Sequence, residues 1–160
     1  MEAYNGGDHM KAVAEIDIAA VKEIVWEAIT DIEGSKDFIS GIKDIEVLEK
    51  PADSFAGFKW RETRTMFGKE ATEIMWVTDA EKNKFYKTRA ESHGAIYSTI
   101  VSIEEIKDGC TLRMEFESEA VSVAGRLMNL FFGGIMVKST RKMVLEDLED
   151  IKKFVEVKVG

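Results

Sequence analysis

Apolar and polar positions alternate over residues 10–18 (MKAVAEIDI), with Ala12, Ala14, Ile16 and Ile18 on one side, and this period of two predicts a strand. Over 20–29 (AVKEIVWEAI) the spacing changes to three and four, so that Val21, Ile24, Val25, Ala28 and Ile29 form the stripe of an amphipathic helix. A second short helix is expected across 31–40 (DIEGSKDFIS), closed by Gly41. Strand-like runs follow at 42–49, 57–66, 70–78, 84–92, 96–107 and 110–120. Between them stand Pro51-Ala52-Asp53, Phe67-Gly68, the polar stretch 79–83, His93-Gly94 and Asp108-Gly109, all turn signals. Short connections of this kind join antiparallel neighbours, so the strands are expected to form a meander. From Ser122 the pattern is helical again, with Met136, Thr140, Met143, Asp147, Leu148, Ile151 and Val155 recurring at spacings of one, three and four. They predict a helix over about 134–155, ~33 Å long. Residues 1–8 (MEAYNGGD) show no period, and His9-Met10 reads as a cloning remnant. The expectation is a flexible leader over 1–9 and a single domain over 10–158.

Alternation also says which side chains point inward. Over 57–66 one face holds Phe58, Trp60, Glu62, Arg64 and Met66, while the other holds Lys59, Arg61, Thr63 and Thr65 and no large apolar group, so the first faces the interior. In the same way Leu112, Met114, Phe116 and Ser118 turn inward in the last strand, Tyr97, Thr99, Val101 and Ile103 in the strand before it, and Tyr86, Thr88 and Ala90 within 84–92. In 70–78 two faces compete: Glu73, Met75 and Val77 against Thr72, Ile74 and Trp76. A sheet of six or seven strands curls and is wider than the ~10–12 Å of one helix. Its interior is then either packed shut by large side chains or left with an apolar cavity, the usual place for a small ligand.

Several inward residues sharpen that choice. Glu62 and Arg64 need partners if buried, and each other, Glu73 or a polar ligand group are the candidates. Met66, Met75, Met114, Met128, Met136 and Met143 fall within the folded body, where thioethers either fill core gaps or line a deformable pocket. The most apolar stretch, 126–136 (RLMNLFFGGIM), reads two ways. Leu130, Phe131 and Phe132 hinge on Gly133-Gly134 as a gate, or they pack under the sheet with the glycines as a break between two helices.

Composition narrows the classes of function. With 160 residues, 45% hydrophobic and 32% charged, the chain has the makings of one folded domain and not of a disordered segment. A net charge of −8 argues against nucleic-acid binding, which needs a basic face. No apolar run approaches the ~20 residues that cross a bilayer, and no basic segment followed by an apolar one opens the chain. The single Cys110 suits a cytoplasmic location. With one Cys and two His far apart, no metal site is expected, and GxSxG, GxxxxGK[ST] and GxGxxG are all missing, so no cofactor is expected either. His93 reads as an ordinary turn residue.

Taken in order, VWEAITDI with FISGIKDIEVLE, then GFKWRETRTMFGK, then GCTLRMEFE and the terminal helix resemble the polyketide cyclase/dehydrase and lipid-transport branch of the START-like superfamily (SRPBCC). The resemblance spans residues 11–156. It implies an α+β helix-grip fold: a curved antiparallel sheet of about six or seven strands gripping a long C-terminal helix, with two short helices after the first strand. It also places one wall of a cavity entrance near 126–136. Aromatase/cyclases of that branch carry a Trp and an Arg four residues apart on an inward strand, which Trp60 and Arg64 match. By that resemblance Arg64 would polarise a carbonyl and Tyr97 would donate a proton, although Glu62 between them departs from the small polar residue expected there and would neutralise Arg64.

The leading expectation is binding or transport of a hydrophobic small molecule, such as a lipid, quinone or polyketide-like compound, with a polyketide cyclase/dehydratase as the alternative. The expected ligand contacts are Phe58, Trp60, Glu62, Arg64, Met75, Tyr86, Tyr97, Met114, Phe116, Phe131, Met136 and Thr140. The partner would be the small molecule itself, with no nucleic acid and no membrane span; a homodimer is compatible.

Overall fold

The computed structural model describes residues 3–6, 8–66 and 68–160, and the side chains of all of these except 3–6 and 128–134. In chain order the elements are β1 (Ala3–Gly6), β2 (His9–Ile18), α1 (Lys22–Thr30), a single 3-10 turn (Ser35–Asp37), β3 (Ile42–Glu49), β4 (Lys59–Met66), β5 (Lys69–Glu81), β6 (Phe85–Ser92), β7 (Ala95–Ile106), β8 (Gly109–Ala120) and α2 (Val123–Val159). All the strands join one sheet in the order β1-β2-β8-β7-β6-β5-β4-β3, and every neighbouring pair is antiparallel. From β3 to β8 each strand pairs with the next in sequence, which is the expected meander. The class is α+β, and the curved sheet grips α2 in the helix-grip arrangement. Ladder irregularities at Ile42/Asp44 and Val47/Glu49 of β3, and at Val77/Asp79 of β5, bend the sheet about the helix.

Four local features differ from expectation, each for a physical reason. Ala3–Gly6, within the aperiodic leader, pairs with residues 9–12 as a short edge strand, and His9 already belongs to β2. A four-residue strand is too short to show a period, but the open edge of β2 offers it unpaired backbone groups. The second short helix, expected across 31–40, is present as a 3-10 helix confined to Ser35–Asp37. The Asp31 carboxylate accepts the Gly34 N–H at 3.1 Å and the Ser35 hydroxyl donates to the Ile32 carbonyl at 2.6 Å, and such side-chain bonds compete with helix formation. The last hairpin turns at Lys107 and Asp108, not Asp108-Gly109, because Ile106 pairs with Gly109. Gly109 serves a close approach instead: a Cβ there would lie 2.1 Å from the Ile18 carbonyl oxygen. Finally, the terminal helix starts at Val123, where Ser122 caps it by accepting the Gly125 N–H at 3.1 Å, and it runs to Val159 without a second helix. An interior glycine costs about 1 kcal/mol and does not by itself end a long helix. His93-Gly94, by contrast, forms the expected tight turn, both residues being left-handed (φ 50° and 73°).

Buried Val144, Leu148, Ile151 and Val155 of α2 press on the concave face. The helix end is pinned from the side: Phe38 stacks on Phe154 at 4.0 Å, the Ala19 N–H donates to Glu156 Oε1 at 2.9 Å, and Lys152 Nζ donates to the Asp17 carbonyl at 2.5 Å. Beside α1, Trp26, Phe55, Phe58 and Tyr86 fill the interior with ring contacts at 5.3–6.4 Å. Among the described residues no helix is long and apolar enough to cross a membrane.

Candidate functional site

The stripe of α2 that faces the sheet carries Met136, Thr140, Met143 and Asp147, one or two per turn. These side chains do not reach the strands everywhere, and a cavity of about 260 Å³ remains. Its walls come from β4 (Trp60, Glu62, Arg64, Met66), β5 (Ala71, Glu73, Met75), β6 (Tyr86, Thr88, Ala90), β7 (Tyr97, Thr99, Val101), β8 (Met114, Phe116) and α2. The open choice in β5 is thereby made: Glu73 and Met75 face the cavity and Val77 is buried next to them. The lining is mainly apolar, and every methionine with a described side chain lies in it: Met10, Met66, Met75, Met114, Met136 and Met143. Such a wall deforms at small cost.

Of the residues expected to contact a ligand, Trp60, Glu62, Arg64, Met75, Tyr86, Tyr97, Met114, Phe116, Met136 and Thr140 all face this space. Phe58 does not. It is buried against Phe55 (5.8 Å) and Trp60 (5.9 Å), because the register places it at the closed end of β4, where the chain folds back beside Gly57. The side chain of Phe131, like those of Met128, Leu130 and Phe132, lies outside the described residues, and so does the proposed gate.

The charged residues form a chain. Trp60 Nε1 donates to Glu62 Oε2 at 3.2 Å, Arg64 Nη1 donates to Glu62 Oε1 at 3.4 Å, and Arg64 Nη2 donates to both carboxylate oxygens of Asp147 at 2.8 and 2.9 Å. Alternation explains the β4 members: positions 60, 62 and 64 share one face. Asp147 arrives from α2, one helical turn beyond Met143. Burial pushes the Glu62 carboxyl above its ordinary range, with the guanidinium opposing. Burial likewise raises Asp147 to about 6, against the pull of Arg64. The Tyr86 hydroxyl is pushed up by burial and then by the Glu62 and Asp147 charges, and that of Tyr97 by burial and then by Glu73. Neither phenol ionises readily.

Two residues that place this chain were not singled out beforehand as site residues. Asp147 was visible as a carboxylate inside an apolar helical stripe, a signal that buried charge is being matched. Gly41 read as a helix terminus. A Cβ at Gly41 would lie 2.8 Å from Arg64 Nη2 and would push the guanidinium aside. Asp150 holds that stretch of chain in place, accepting the Ser40 N–H at 2.8 Å and the Ser40 hydroxyl at 2.7 Å. His93 is exposed in its turn, 3.7 Å from Glu73 Oε1. Among the described residues no group of three His, Cys, Asp or Glu converges to hold a metal ion. Arg64 thus donates to two carboxylates through Nη1 and Nη2, and its buried Nε has no hydrogen-bond partner.

A curved sheet gripping a long helix around a lined cavity defines a START-like small-molecule-binding fold. The chain belongs to the polyketide cyclase/dehydrase and lipid transport family, whose pattern it matches over residues 9–156. No protein of curated function matches the chain. Solved structures share the fold at low identity. The protein TTHA0849 of Thermus thermophilus is 16% identical, with 94% of this chain and 99% of that one covered and a TM-score of 0.79. The ZhuI aromatase/cyclase of a Streptomyces species is 15% identical, covering 95% and 96%, with a TM-score of 0.74. A START superfamily protein of Mycobacterium smegmatis is 18% identical, covering 93% and 96%, with a TM-score of 0.67.

Proposed function

We propose that this protein binds or carries a hydrophobic small molecule, such as a lipid, quinone or polyketide-like compound, in the cavity between β4–β8 and α2, without transforming it. The observation that carries this reading is the open, mostly apolar, methionine-rich space in whose described lining the one guanidinium, that of Arg64, is paired with Glu62 and Asp147. At about 260 Å³ the space lies just under the ~300–1,000 Å³ usual for ligand pockets, which favours a compact molecule or a single chain. The ligand contacts would be Trp60, Glu62, Arg64, Met75, Tyr86, Tyr97, Met114, Phe116, Met136 and Thr140. The buried, unpaired Cys110 is in keeping with a cytoplasmic protein.

The neutral fluorophore N-phenyl-1-naphthylamine tests the reading. It is expected to bind saturably at one site per chain, and Thr99→Phe, which fills the cavity from β7, is expected to abolish the signal while leaving the circular dichroism unchanged. No uptake, or equal uptake by the filled variant, would defeat it. The second reading, a cyclase or dehydratase, is favoured by Trp60 and Arg64 sharing one cavity wall and by the likeness to an aromatase/cyclase. It requires Tyr97→Phe to stop turnover of a polyketide-like substrate while probe uptake persists.

A further inference from the structure

The charges around the cavity are unbalanced. Among the described lining residues stand three carboxylates, Glu62, Glu73 and Asp147, and one cation, Arg64. Glu62 and Glu73 are register partners on β4 and β5, directly opposite on the same inward face, an arrangement that repels when both are ionised. Arg64 divides itself between Glu62 and Asp147 and leaves Glu73 to the Ser92 hydroxyl, which donates to it at 2.8 Å, and to exposed His93. Glu62 and Asp147 each accept two hydrogen bonds, whereas a carboxylate has room for about four. The other groups turned toward this end, the phenols of Tyr86 on β6 and Tyr97 on β7 and the Asp150 carboxylate on α2, bring no positive charge. The wall is thus rich in acceptors and short of cations, in surroundings where an unmatched charge is expensive.

Building on the binding reading above, we propose that the cavity selects an apolar molecule carrying a basic amine, accepts a neutral hydroxyl less well and rejects a carboxylate. The ammonium of such a ligand donates to the spare oxygens of Glu62, Glu73 and Asp147 and supplies the missing positive charge. A ligand carboxylate would add a fourth negative group beside a single guanidinium that already pairs with two carboxylates and has only its buried Nε–H without a partner. As the pH falls toward about 6, a proton comes to take the cation's place at Asp147, whose carboxyl burial raises to about that value. An arriving ammonium displaces that proton, so amine affinity falls as the pH is lowered from about 7.5 to about 5.5.

Decylamine, decanol and decanoate, below their micelle concentrations at about pH 7.5, provide matched probes that differ only in the head group. Displacement of N-phenyl-1-naphthylamine is expected to rank them amine, alcohol, carboxylate, with about tenfold or more between the first and last. Glu73→Gln, which keeps the shape and removes one charge at the cavity wall, is expected to shrink that ratio several-fold. Decanoate binding as tightly as decylamine, or a ratio untouched by Glu73→Gln, overturns the amine proposal while saturable decanol binding leaves the apolar-ligand reading standing. Failure of decanol and the fluorophore to bind at all overturns both.

Discussion

At one end of the interior Trp26, Phe55, Phe58 and Tyr86 pack ring against ring, whereas at the other Thr140, Met143 and Asp147 of α2 face the strands across an open space of about 260 Å³. Both ends are walled by the same alternating strands. They differ in what covers them. Beside α1 a second layer arrives from two directions, Trp26 from the helix and Phe55 from the connection before β4, and large rings close the gap. Under the middle of α2 there is one helix only, presenting Met136, Thr140, Met143 and Asp147, and no aromatic ring of the helix closes the gap among the described residues. The contrast teaches that inward pointing and close packing are separate properties. The first follows from the strand period, the second from whether a facing element brings enough volume.

The polar chain gives the sharpest way to break this contrast. Arg64→Met leaves Glu62 and Asp147 buried without a cation and is expected to cost about 3–5 kcal/mol, read from urea denaturation. A variant as stable as the parent would mean the two carboxyls are already neutral and the ion pairs count for little. At the closed end, Phe58→Ala is expected to cost about 3–4 kcal/mol and to leave probe affinity within about twofold, since Phe58 packs behind the cavity and not in it. A large loss of affinity with little loss of stability would place Phe58 in the binding wall after all.

The acidic end carries a pH signature. Asp147 stands at about 6, above its ordinary 3.8, so the folded protein holds this proton more tightly than the unfolded chain does. Its contribution is therefore full below about pH 4 and is lost as the pH rises through about 6, an effect of about 3 kcal/mol. Asp147→Asn lacks it. The parent should accordingly gain on the variant by that amount between pH 7 and pH 4, measured as paired urea midpoints. A gain in the opposite direction would show that Arg64 dominates burial and that Asp147 is an ordinary ion-pair partner. The smallest effect belongs to the open wall: Met114→Ala is expected to cost only about 1–2 kcal/mol, because Met114 already borders empty space, and to shift preference toward bulkier probes. A loss comparable with that of Phe58→Ala would mean that the space is filled in solution.

Much of the candidate site was legible in advance, and the reason is geometric. A strand puts every second residue on one face, so Trp60, Glu62 and Arg64, and likewise Tyr97, Met114 and Phe116, were assigned inward from spacing alone. Residues 70–78 resisted because both of their faces carry apolar groups, and only pairing with β4 and β6 decided between them. Phe58 shows the limit of the method. It shares the inward face of Trp60, yet position along the strand put it under the aromatic layer and out of the cavity. Of the two partners of Arg64, Glu62 was among the candidates, whereas Asp147 was out of reach because it is 83 residues away.

By itself the sequence determined the α+β class, the order and approximate limits of the long strands, the inward faces of all of them except 70–78, the presence of a long terminal helix and the excess of acid over base. These are local properties, set by periods of two and 3.6 residues and by turn and cap chemistry. Only the tertiary structure decided where the interior closes, that Glu73 stands opposite Glu62, that Gly41 makes room for the guanidinium and that Asp147 meets it. Each of these depends on distances between elements remote in the chain, which are settled when the sheet curls around α2 and its side chains compete for the same space.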